Sequence, residues 1–157
     1  MLSLQHLSTR EQNILATLTL DLLVTLYYFS ELAGMETGLT EPSEQMGQLI
    51  LKVIILSILA SILLFGWIRW RSGEEEPRDE RDYQIEAKAN SIAYGVLFGA
   101  VALLIGHLII NAIDWHASVM PFLSFTPMLC AHALLVILLL SSTAKSVTQL
   151  YLYRRGI

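Results

Sequence analysis

Four long apolar stretches, Ile14 to Ala33, Leu49 to Ile68, Ala89 to Ile113 and Phe122 to Ala144, take up most of this 157-residue chain. Each supplies the ~20 mostly apolar residues that a helix rising ~1.5 Å per residue needs to cross ~30 Å of hydrocarbon. The expected fold is therefore all-α, a membrane-embedded four-helix bundle in contact with the lipid bilayer. Apolar residues make up 54% of the chain and charged ones 15%. One four-span domain over residues 1–157 uses nearly all of it, so a second folded domain has no room.

Charge orients the bundle. Arg10 precedes the first span, Arg69, Arg71, Arg78, Arg81 and Lys88 lie in the loop 69–88, and Lys145, Arg154 and Arg155 follow the fourth span. Lys52 is the one basic residue elsewhere, and the loops 31–48 and 114–121 hold neither Lys nor Arg. The positive-inside rule predicts both termini and the central loop in the cytoplasm. Met1 to Asn13 lacks the basic run and short apolar core of a cleavable signal, so none is expected. Cys130, the single cysteine, reads as a small core hydrophobe.

Ser8-Thr9-Arg10-Glu11 predicts a capping box opening helix 1, which runs to about Ala33. Helix 2 is expected over about Met46 to Trp70, with Trp67 and Trp70 at interfacial depth. Helix 3 is expected from near Pro77 to Ile113, and helix 4 from between Pro121 and Pro127 to Tyr153. On helix 3, Gly95, Gly99, Ala102 and Gly106 recur at spacings of four, three and four. Small residues on one stripe permit close backbone approach, the main source of helix association in lipid. Packing within the bundle is the first reading of this stripe, a homodimer face the second.

Ionisable residues inside the spans are the candidate functional groups. Thr17, Asp21, Thr25 and Tyr28 form a polar stripe on helix 1. His107, Asn111 and Asp114 share a face of helix 3, and helix 4 carries His132. Counting ~1.5 Å per residue from the expected outer ends places Asp21 and His132 ~15 Å deep and His107 ~11 Å. An intramembrane polar cluster of Asp21, His107, Asn111 and His132 is thus expected in one layer. It reads as interhelical glue, as a proton-responsive or ligand site, or as a metal or haem site with His107 and His132 as ligands. No close-spaced ligand pair supports a metal, and no metal or cofactor is expected. Glu31 is the expected partner of Lys52, which lies one turn inside helix 2.

The segment Gly73 to Asn90 holds an acidic run, Glu74 to Glu76, then spacings of four for Arg78 and Asp82, Glu80 and Gln84, and Asp82 and Glu86. These predict a solvated, ion-paired helical extension or a docking surface for a cytosolic partner. Its mixed charge argues against direct nucleic-acid binding, which wants a basic cluster. Arg81 and Asp82, outside the hydrocarbon, are expected to contribute less than ~0.5 kcal/mol each to stability.

The run Asp79 to Leu97, DERDYQIEAKANSIAYGVL, and the ending Val147 to Gly156, VTQLYLYRRG, resemble a family of small bacterial four-span membrane proteins of unknown function. Asp79, Glu80, Arg81, Asp82 and Ile85 match its first motif; Gln149, Leu150, Tyr153, Arg154, Arg155 and Gly156 match its tail. The resemblance implies the bacterial inner membrane. It also implies membrane-bound regulation, with a cytosolic helix-turn-helix regulator as candidate partner. Together with the residues, it makes Asp79, Glu80, Arg81, Asp82, Ile85, Arg154 and Arg155 the expected partner-binding set of a non-enzymatic protein. The alternatives are a small proton-coupled transporter using Asp21 and a haem- or metal-bearing electron carrier using His107 and His132.

Overall fold

The computed structural model describes residues 8–35, 43–72, 78–113 and 126–155. The expected features at Glu74 to Glu76, Pro77, Asp114, Pro121 and Gly156 lie outside the described residues. Within them the chain forms four helices and no strand: α1 (Thr9–Ala33), α2 (Glu44–Ser72), α3 (Glu80–Ala112) and α4 (Pro127–Arg155). All four are long and apolar enough to cross a membrane.

Helix starts follow local chemistry. Ser8 opens α1 with the predicted capping box: the Glu11 amide donates to Ser8 Oγ at 3.3 Å and the Ser8 amide to Glu11 Oε2 at 3.0 Å. Ser43 caps α2 through the Met46 amide, 3.1 Å away. α3 starts at Glu80, three residues later than Pro77 suggests, because Asp79 is a better cap. Its Oδ1 accepts from the Asp82 amide at 2.8 Å, and Asp82 Oδ2 accepts from the Asp79 amide at 3.0 Å. Thr126 caps α4 through the Leu129 amide at 3.2 Å.

The helices line up as α2–α1–α4–α3: α4 packs on both α3 and α1, while α2 packs mainly on α1. Ser8, Asp79 and Arg155 lie at one end, here called the basic end. Few side chains are buried. Tyr28, Leu32, Met46 and Leu49 form a cluster toward the opposite end, with Met35, Met128 and Leu135 against it. Along the α3–α4 seam Ile85, Ala89 and Ala93 are buried at steps of four, with Leu152 opposite. Most of α2, including Ile54, Ile58, Ile62 and Leu63, faces outward. Such exposure would be costly in water and carries no penalty in lipid, whose tails are as apolar as leucine.

Among the described residues the glycine stripe meets no other helix closely: a Cβ built at Gly95, Gly99 or Gly106 meets none of their atoms within 4 Å, and Ala102 is exposed. The small residues that admit α4 are Ala89, fully buried, and Ala93. Ala93 and Gly95 stand two positions apart, ~200° around a helix, so the two stripes lie on nearly opposite faces. The close approach is visible in the Ser141 hydroxyl, which donates to the Ala93 carbonyl across the seam at 2.9 Å.

Candidate functional site

Two polar assemblies occupy the seams of α4. The first lies at the basic end and is centred on Asp82, whose residue is only 8% exposed. Besides its role in the α3 cap, its carboxylate forms an ion pair with Arg10 of α1 and accepts from the Tyr153 hydroxyl of α4 at 2.8 Å. One side chain thereby ties three helices together. Arg81 adds a second link to α4, donating to the Tyr153 carbonyl at 3.3 Å. There it meets one of the last carbonyls of a helix, which lack intrahelical donors.

These contacts change the reading of the motif. Asp82 and Ile85, expected to face a partner, are buried inward, and Asp79 holds the helix start. The premise that Asp82 lies in solvent and packs little is overturned. Of the proposed partner-binding set, Glu80, Arg81, Arg154 and Arg155 are exposed, as are Tyr83 and Tyr151. The Arg155 guanidinium lies 4.7 Å from the Tyr151 ring centroid. Arg78 lies outside the helix, so its expected pairing with Asp82 at a spacing of four does not form. It bonds Glu86 at 2.9 Å instead. Gln84 and Glu80 do stand within bonding distance, at 3.5 Å.

The second assembly runs along the α1–α4 seam. Asp21, half-buried, accepts from the Ser142 hydroxyl at 2.5 Å. Two turns further along α1, Tyr28 Oη and His132 Nδ1 share a buried hydrogen bond of 2.6 Å. Thr17 and Thr25 turn their hydroxyls back to the carbonyls of Asn13 and Asp21 in their own helix. Sequence reasoning missed Ser142, and it placed Tyr28 on the polar stripe of helix 1 without pairing it with His132. A serine on an apolar helix gives little signal until its neighbour is known.

The expected single layer of Asp21, His107, Asn111 and His132 resolves into separate levels. The Ser141–Ala93 and Ser142–Asp21 bonds set Asp21 level with Ala93 of α3. His107 stands four turns beyond, about 20 Å along the axis, and Asn111 one turn further. His132 lies between the levels of Asp21 and His107. Depth counting failed because it took the helix ends as level, whereas α4 starts at Pro127 and His132 moves outward with it. Among the described residues no three His, Cys, Asp or Glu side chains gather as a metal site. Glu31 and Lys52 do not pair; they line one cavity of about 370 Å³ with Gln45 and Gln48.

Four apolar helices, a lipid-compatible surface and interhelical polar contacts along the seams of α4 define a polytopic membrane bundle. Residues 14–145 match the family described as predicted membrane protein (DUF2178), and the chain belongs to that family. The match includes Asp82 and Asp21 and stops short of the tail. No curated protein and no solved structure matches the chain.

Proposed function

We propose that the chain is a non-enzymatic regulatory protein of the bacterial inner membrane, with both termini and the loop 69–88 in the cytoplasm, that engages a cytosolic partner at its basic end. The observation that carries this reading is the Asp82 clamp. By joining Arg10, Asp82 and Tyr153 it fixes the ends of α1, α3 and α4 relative to one another. A surface held in this way loses little side-chain and backbone freedom on binding, which lowers the cost of association. Around the clamp Glu80, Arg81, Tyr83, Tyr151, Arg154 and Arg155 are exposed, a mix of arginine, tyrosine and one acid that suits a protein face. The orientation rests on the positive-inside rule. The family resemblance makes a small helix-turn-helix regulator the first partner to test. Arg154→Glu with Arg155→Glu should abolish capture of that regulator at unchanged membrane abundance, read by crosslinking and pull-down. Undiminished capture would remove the basic end as the contact.

A further inference from the structure

We propose that Asp21 is a proton-binding site that opens only toward the basic end of the bundle, through a polar cleft between α1 and α4 and the Ser142 hydroxyl. This does not depend on the partner reading. A cavity of about 280 Å³ is lined by Asn13, Ile14, Thr17, Ser142, Lys145, Ser146 and Gln149. A second, of about 180 Å³, lies against the clamp and is lined by Arg10, Arg78, Asp82 and Tyr153. They share Asn13, Ile14 and Gln149, so the two adjoin and together line the way from the helix ends to Ser142. At ~30 Å³ per molecule they have room for several waters.

The lining is built for water. Asn13, Lys145, Ser146 and Gln149 are half-buried or buried, yet none spends its side chain on a hydrogen bond or ion pair within the described protein. Polar groups at this depth are costly unless they meet a partner or a wet cavity, and all four converge on the same space. Asp21 lies one hydrogen bond beyond it. A hydronium ion in the cleft gives a proton to Ser142 Oγ as the Ser142 hydroxyl proton moves to Asp21 Oδ2. A water, a neutral carboxyl and a restored hydroxyl result.

Toward the opposite end the groups that could continue the path are tied up. The Thr25 hydroxyl is held by the Asp21 carbonyl, Tyr28 and His132 bind each other, and Ile137 of α4 is buried. The charged and titratable groups facing Asp21 are few. On α4 Lys145 stands one turn from Ser142; on α1 the next charges toward the basic end are Glu11 and then Arg10. On α3 Lys88 is the nearest ionisable group inward of the Ala93 level, and Tyr94 beside it is exposed. α2 has none between Lys52 and Arg69. Lys145 is the cation nearest Ser142, and Arg10 and Arg78 line the outer cavity.

The test uses the full chain in oriented proteoliposomes, with infrared detection of the carboxylic-acid carbonyl band after acidification of one compartment. The Asp21 signal is the wild-type spectrum less that of Asp21→Asn. It should appear when the basic-end compartment is acidified, and not when the opposite one is. Ser142→Ala should slow it ~10-fold or more, and Ser142→Thr should restore the rate. Independently of those variants, Asn13→Cys and Ser146→Cys in a Cys130→Ala background should react with a membrane-impermeant thiol reagent from the basic end. Equal responses from both compartments, a band unchanged in Asp21→Asn, or cysteines inert from the basic end would each overturn the proposal.

Discussion

Replacing Asp82 by alanine isolates the clamp. The variant loses the Tyr153 hydroxyl bond at 2.8 Å, the pair with Arg10 and the return bond to the Asp79 amide. A hydrogen bond to a charged acceptor contributes ~1.5–3 kcal/mol. The Arg10 side chain keeps 26% of its surface in solvent, so its share is nearer that of a surface pair, up to ~1 kcal/mol. The Asp79 side chain still caps the helix, and losing only the return bond costs a few tenths of a kcal/mol, below the ~0.5–2 kcal/mol of a lost cap. Asp82→Ala should therefore destabilise by roughly 3 kcal/mol, read from unfolding in mixed detergent micelles. Glu80→Ala, one turn's edge away and solvent-facing, should change stability by less than ~0.5 kcal/mol. The double variant with Tyr153→Phe should show a coupling of at least ~0.5 kcal/mol, as contacting residues do. If Asp82→Ala matched Glu80→Ala, or no coupling to Tyr153 were found, the clamp would be a packing coincidence.

Tyr28→Phe should cost ~1 kcal/mol in the same assay, within the range of interhelical bonds in membranes; no change would mean that the Tyr28 bond does not hold the α1–α4 seam. Gly99→Leu should leave membrane abundance unchanged, since a Cβ there meets no atom of the described residues within 4 Å. If abundance holds while a crosslinked dimer is lost, the stripe is a contact between copies. Cysteine at Glu44 should label from outside the cell and cysteine at Glu80 only after permeabilisation; the reverse pattern would invert the proposed orientation.

The elements were legible because their signals are local. Ser8 and Glu11 state a helix start within four residues, and a 20-residue apolar run states a span by length alone. Which faces meet is a relation between helices, and there the sequence misleads. Ala89 and Ala93 are ordinary residues in a helix, whereas Gly95, Gly99 and Gly106 stand out; yet α4 approaches the alanines. The same holds for the motif. Asp82 sits among exposed charges and reads as solvated until Arg10, 72 positions earlier, and Tyr153, 71 later, close around it. No spacing within α3 could reveal the other two helices. Asp21 was recognisable as an intramembrane carboxylate from depth alone, and its partner was not, since nothing marks Ser142 among the serines of α4.

The distribution of polar contacts sets what each helix can do. Clamp, cleft, Asp21–Ser142 and Tyr28–His132 all involve α1 and α4, while α3 contributes at the clamp and through Ala93. α2 joins chiefly by the apolar cluster of Met46 and Leu49 near one end, and lipid competes with such contacts on nearly equal terms. Its attachment to the rest is the weakest of the four, and its two tryptophans, 5.5 Å apart by centroid at the basic end, fix its depth rather than its partner. The α1–α4 seam, by contrast, is pinned by directional bonds at three levels. A change in protonation at Asp21 alters the middle of those three pins. The proposed proton site and the proposed docking surface thereby share α4.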